Sequence, residues 1–307
     1  MRAPFLILGA AALVALPAPA HAASSCTFTA LQPPSGSRQA SVTHASRTGV
    51  YAGTAYTDGG SSSAARWENG VARALGSFEV FDVNADGTVV GQIESATPIL
   101  NRRTGKWQPL PRPDGTTAAA TAVNDAGEVF GALDDGRLIR WPAAQPGTYE
   151  LIDSPLPGAG TAVDVTADGT LLARGGKSGA ALRAPDGTWT VLDRPAPDQE
   201  ITAVAVAGDR VVGHDWGGTG IEWDRSGAIV RTWPGFTPAD VNAAGQVLGR
   251  QDALDRTAIF KDDTLETALP ASDDDWRYFP VALDNDGTAL VRAISSRFPA
   301  ESMLARC

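Results

Sequence analysis

Histidine and cysteine are nearly absent from this chain. Its 307 residues include three histidines and two cysteines. One histidine, His21, lies in an N-terminal segment read below as a leader, which leaves His44 and His214. A tetrahedral zinc site draws on more such ligands than this, so no metal and no cofactor is expected. There is also no His-x-x-x-His pair, no Gly-x-Ser-x-Gly elbow and no Gly-Lys-Ser/Thr phosphate loop. No catalytic residue can be assigned from motif. Cations are in deficit, with 25 Lys and Arg against 35 Asp and Glu and a formal net charge of −10. That balance argues against a nucleic-acid role, because gripping phosphate needs a basic face. After the leader no apolar run is long enough to cross a bilayer.

The leader is Met1-Arg2, an apolar run from Phe5 to Leu16, and the small-x-small site Ala20-His21-Ala22. It reads as a signal peptide over residues 1–22, cleaved after Ala22. Residues 23–307 are then one exported domain, secreted or periplasmic, expected as a monomer. Cys26 has no lipobox before it.

Glycine and proline are plentiful, 33 and 21 residues, so turns are frequent and long helices few. They punctuate a repeat. The clearest copies run Asp82–Gly91, Ala122–Gly131, Asp164–Ala173 and Asp240–Gly249. Ala205–Gly213 is one residue shorter at the turn, Ala282–Val291 is degenerate, and His44–Gly53 is weaker. The anchors Gly53, Gly91, Gly131, Ala173, Gly213, Gly249 and Val291 are spaced 38, 40, 42, 40, 36 and 42 residues apart. Each copy holds four strand-sized pieces, as in Thr161–Val165, Thr170–Ala173, Ala180–Arg183 and Trp189–Leu192. The links Ala167-Asp168-Gly169 and Ala184-Pro185-Asp186-Gly187 carry hairpin chemistry. Antiparallel four-stranded units of about 40 residues are propeller blades. The fold class is all-β, a seven-bladed β-propeller.

The seventh copy stops at its third strand, Ser302–Ala305, two residues before the end. Thr27–Leu31 followed by Gln32-Pro33-Pro34 matches the fourth strand of other copies, such as Trp107–Pro111. The N-terminal strand is therefore expected to complete the last blade. Cys26 and Cys307 then stand where other blades have their third-to-fourth-strand turn, and a disulfide is expected between them.

The pattern Val-Asn-x-x-Gly-x-Val-x-Gly, followed by an apolar strand and Trp or a turn, resembles the HAF repeats of bacterial extracellular proteins. Trp67–Leu75 is similar to the second half of such a repeat. The His-Ala-Phe triplet is absent, with Thr257-Ala258-Ile259-Phe260 its nearest trace. The resemblance implies an exported β-propeller and assigns no activity to any residue.

Three sets of residues are candidates for function. Asp82-x-Asn84-x-Asp86-Gly87 opens like a calcium loop, but the position for the bidentate acid falls on Ile93. A hairpin turn is the preferred reading there. Second, the residue two before the motif Asn reads His44, Asp82, Ala122, Asp164, Ala205, Asp240 and Ala282 around the ring. With the first strand innermost, His44, Asp82, Asp164 and Asp240 would face the central channel, where they could bind a cation or ordered waters. The plainer alternative is that each Asp satisfies local backbone donors. Third, six of the eight tryptophans fall on third or fourth strands and read as packing. Trp216 and Trp276 lie instead in loops of one face, with His214, Asp215, Arg250, Asp252, Arg256, Arg277, Tyr278 and Arg297. Aromatics with arginine suit a binding surface. A non-catalytic module binding a protein, peptide or glycan is the favoured function. A sugar- or lactone-directed hydrolase or lyase using carboxylates at the channel mouth is the alternative.

Overall fold

The computed structural model describes residues 26–93, 96–103, 105–145, 147–158, 160–175, 179–270, 276–295, 297 and 300–307. The signal peptide read over residues 1–22 lies outside the described residues. The chain forms seven four-stranded antiparallel sheets arranged as a β-propeller. Strands are lettered A to D outward from the axis. Blade 4, for example, runs Gly160–Val165, Leu171–Gly175, Gly179–Arg183 and Trp189–Val191. Blades 1, 2, 3, 5 and 6 span residues 39–76, 79–109, 118–152, 201–233 and 236–268. Blade 7 takes strands A to C from residues 277–306, and Thr27–Ala30 is its strand D. Thr27 pairs with Arg306 and Ala30 with Met303. Cys26 and Cys307 are disulfide-bonded, with Cα atoms 4.1 Å apart.

The repeat motif shapes strand A and its turn. In Asn84, Asn124 and Asn242 the side-chain Oδ1 accepts the amide four residues on, at 2.9, 2.9 and 3.0 Å, which fixes the A–B hairpin. Asn84 Nδ2 also donates to the Asn124 carbonyl of the next blade at 2.9 Å. Each A–B ladder has a register shift in strand A. A bulge re-aims the residue that follows it, and the residues following are His44, Asp82, Ala122, Asp164, Ala205, Asp240 and Ala282. The bulge also explains the motif's last glycine. A Cβ on Gly91 would lie 1.8 Å from the Glu79 carbonyl oxygen, and one on Gly131 2.0 Å from that of Ala119.

The core lies between blades. Among the described residues the buried side chains form seven clusters, one for each blade-to-blade interface. Tryptophan rivets five of them. Trp67, Trp107, Trp141, Trp189 and Trp223 each donate Nε1–H to a carbonyl at or just past strand D of the preceding blade, namely Gln32, Leu75, Pro111, Asp153 and Asp193. In blades 1, 3 and 5 this tryptophan is on strand C. In blades 2 and 4 strand C carries Asn101 or Arg183, and the residue directly opposite on strand D, Trp107 or Trp189, takes over.

Candidate functional site

The A–B turns surround one mouth of the channel, where a cavity of about 400 Å3 is lined by residues of all seven blades. His44, Asp82, Asp164 and Asp240 all line it. The three carboxylates share one geometry. Asp82 accepts the amide of Val83 at 2.8 Å and that of Val123, in the next blade, at 2.8 Å. Asp164 accepts Val165 and Val206 at 2.8 and 2.9 Å. Asp240 accepts Val241 and Leu283 at 2.8 and 2.7 Å. Each carboxylate thus clamps an even-numbered blade to the odd-numbered blade after it. One bond in each pair is local, and the other crosses between blades.

Arg47 is the site residue that the sequence reading did not select. It sits in the A–B turn of blade 1 with φ of 64°. Its guanidinium reaches across the channel to Asp164 at 2.6 Å and Asp240 at 3.4 Å. Burial opposes its charge, but the two carboxylates outweigh burial and hold its pKa above the ordinary value. Burial pushes Asp240 upward, and Arg47 and the two amides offset part of that. Among the described residues no ion pair is made by Asp82; burial pushes its pKa up to about 8 against the opposing pull of the Val123 amide and the more distant Arg47. Burial lowers His44 to about 4, with a bond to the Val80 backbone opposing the shift. At neutral pH this mouth therefore holds a neutral imidazole, one guanidinium and a proton-retaining carboxyl group. Beside it, the Tyr51 hydroxyl donates to Asp284, whose carboxyl is raised to about 6, chiefly by burial.

No group of three or more His, Cys, Asp or Glu among the described residues is placed to hold a metal ion. Asp82, first residue of the calcium-like stretch, spends its oxygens on backbone amides instead.

The B–C and D–A loops surround the other face. His214 and Asp215 end strand B of blade 5, and Trp216 opens the turn that follows. Asp215 is buried and accepts the Thr219 amide at 2.9 Å, and Gln199 also donates to it, so the turn is fixed from beneath. Trp216 above it is 81% exposed. In the next blade Asp252 packs against this turn: a Cβ on Gly218 would lie 3.5 Å from its Oδ2. Arg250 lies over the Phe279 ring of blade 7 at 4.7 Å and is paired with Asp255. Asp255 also lies 4.0 Å from Arg277. A chain of contacts thus joins the loops of blades 5, 6 and 7. Arg250 is committed to Phe279 and Asp255 within this chain.

Arg277 and Tyr278 belong to strand A of blade 7, not to the loop before it. Tyr278 stacks on Phe28 at 4.9 Å between ring centroids, and its carbonyl accepts Thr257 Oγ1. It is a packing residue. Arg256, on strand C of blade 6, donates to Gln251. Trp276 is half-buried just before strand A, and residues 271–275 of its loop lie outside the described residues.

No protein-family model matches the chain, and no curated protein matches it. Solved structures do. Virginiamycin B lyase from Staphylococcus aureus is similar at 13% identity with a TM-score of 0.63, over 92% of this chain and 99% of that one. A chain of the mitotic checkpoint complex gives 13% identity and 0.64, over 100% and 99%. U3-55K gives 12% and 0.64, over 91% and 98%. At these identities the likeness is one of fold, and the fold serves both a lyase and a member of a protein complex. Among the described residues no helix is long and apolar enough to cross a membrane.

Proposed function

We propose that this chain is an exported, non-catalytic β-propeller of the HAF-repeat kind that binds a glycan or peptide through its B–C/D–A face. The observation that carries the proposal is Trp216, 81% exposed on a turn that buried Asp215 holds rigid. Ordering a large aromatic ring in solvent without a packing role suits a contact residue, because a pre-set aromatic platform loses little entropy on binding. The polar rim formed by Asp252, Asp255 and Arg277 would supply orientation. The disulfide fits an oxidising compartment. The test is a glycan and peptide array probed with mature protein and with Trp216→Ala. Truncation of a hot-spot aromatic costs about 2 kcal/mol or more, with the circular dichroism spectrum unchanged. Equal binding by both proteins would reject this face.

One observation favours a second reading. His44, Asp82, Asp164 and Asp240 converge on a single cavity, and a carboxyl that keeps its proton at neutral pH can serve as a general acid. A hydrolase or lyase acting on a sugar or lactone would need such an acid. Against it, all three carboxylates are occupied as blade clamps. Turnover of sugar or lactone substrates that Asp82→Asn abolishes would establish the enzyme instead.

A further inference from the structure

Blades 1, 3 and 5 carry a charged residue just before the strand C tryptophan: Arg66, Arg140 and Glu222. Each faces one strand D residue across the ladder, respectively Arg73, Glu150 and Arg231. In blade 3 the rung is an ion pair, Arg140–Glu150 at 2.8 Å, with Glu128, just before strand B, also bonded to Arg140. In blade 5 it is Glu222–Arg231 at 2.7 Å, with Arg210 of strand B 3.1 Å from Glu222. In blade 1 both residues are arginine, and the matching strand B position is Val50.

Like charges directly opposed on a ladder destabilise it. Here one of the two is buried: Arg66 is 4% exposed, and one of its nitrogens donates to the Gly87 carbonyl of blade 2. Burial lowers its pKa, and repulsion from Arg73 and Arg103 outdoes part of the help from Glu68. Glu68 itself is paired with Arg103. The facing wall is blade 2, and Asn101 stands there beside its ladder partner Trp107, which donates to Leu75 of blade 1. Asn101 is fully buried, and its side-chain amide has no hydrogen-bond partner among the described residues. A chain with ten excess negative charges thus concentrates guanidinium groups, together with an unsatisfied amide, at one blade-to-blade interface.

We propose that the outer edge of the interface between blades 1 and 2 binds a phosphate or sulfate group, held between Arg66 and Arg73 with Arg103 at its rim. A doubly charged oxyanion supplies the two negative charges that the arginine rung lacks. Its several oxygens match the fork of donors on each guanidinium. It takes the place that Glu150 fills in blade 3.

The test uses the full mature chain in calorimetric titrations and thermal melts. Inorganic phosphate, inorganic sulfate, a sugar phosphate and a sugar sulfate form separate arms, with chloride at matched ionic strength as control. Saturable binding and a rise in melting temperature are expected with phosphate or sulfate and not with chloride. Tighter binding of a sugar ester than of the free ion identifies the group on a larger ligand as the natural occupant, and equal affinity identifies the ion. Arg73→Ala should weaken binding about tenfold or more. Arg73→Glu, which rebuilds the charge order of blade 3, should abolish the anion response and raise the melting temperature in anion-free buffer. An anion response equal to chloride's, or one that Arg73→Glu leaves intact, overturns the proposal.

Discussion

The guanidinium of Arg47 stands 2.6 Å from the carboxylate of Asp164, although the two residues belong to blades on opposite sides of the channel. The same nitrogen lies 3.4 Å from Asp240. Blade 1 is therefore tied through its A–B turn to blades 4 and 6, as well as through its edges to its neighbours. Seven blades cannot pair off evenly. The carboxylates clamp blades 2 to 3, 4 to 5 and 6 to 7, and Arg47 brings in the blade left over.

Removing that guanidinium leaves two carboxylates that are largely withdrawn from water without their cation. Losing one partner of a buried pair costs about 3 kcal/mol or more. Arg47→Met keeps the apolar stem and deletes the charge, so urea denaturation should report a loss of that size. A change within about 0.5 kcal/mol, the range of ordinary surface substitutions, would mean that the cross-channel contact contributes little.

The same cavity predicts how stability depends on pH. Asp82 has a folded pKa of about 8 against an ordinary 3.8. Between these values the folded state keeps a proton that the unfolded state has lost, so stability falls as pH rises through the window. His44 acts with the opposite sign. Its folded pKa is about 4 against an ordinary 6.5, so stability rises with pH across that lower window. Above pH 6.5 the histidine contribution is complete and the Asp82 decline remains. Chemical denaturation should show lower stability at pH 8 than at pH 6.5, and Asp82→Asn should flatten the slope. A wild-type curve that rises from pH 6.5 to 8 would contradict a raised Asp82.

The blade count, the hand-over of the last strand and the disulfide were legible in the sequence because all three are matters of spacing. Gly91 and Gly131 recur where strand A's carbonyls come close, and a close approach at fixed register leaves a periodic trace. The channel position was legible for the same reason, since Asp82, Asp164 and Asp240 occupy one slot of the repeat. Arg47 was not. It lies in the weakest copy, and its partners are 117 and 193 residues away, a separation that no local pattern records. Arg66 and Arg73 were hidden differently. Each is an unremarked polar residue in its own strand, and only the ladder register sets them opposite each other. On the loop face, topology placed Trp216 and Arg250 on one face, but it could not show that Arg250 was already committed to Phe279 and Asp255.

The ring closes where Thr27–Ala30 pairs with Glu301–Arg306, and four residue pairs make up that ladder. The Cys26–Cys307 bond ties its outer end across a sequence separation of 281 residues. Chain-entropy arguments set the stabilisation from so long a loop at about 5 kcal/mol at most, because structure in the unfolded chain subtracts from it. Other contacts hold the inner part of the seam. The Val42 amide donates to Ser302 Oγ at 2.9 Å, Gln39 Nε2 donates to the Ala300 carbonyl at 3.1 Å, and Tyr51 donates to Asp284. Reduction, or the double change Cys26→Ala and Cys307→Ala, should therefore loosen the ladder without dissolving the blade 7 to blade 1 interface. The Leu31 amide donates to the Ser302 carbonyl, so the bonded rungs are those of Leu31 and Thr29. Hydrogen exchange should speed first at Thr29, Leu31 and Leu304, while Val42 and Tyr51 stay protected. Uniform acceleration across blades 7 and 1 would show instead that the disulfide holds the whole seam, and unchanged exchange at Thr29 would show that the four-residue ladder closes the ring unaided.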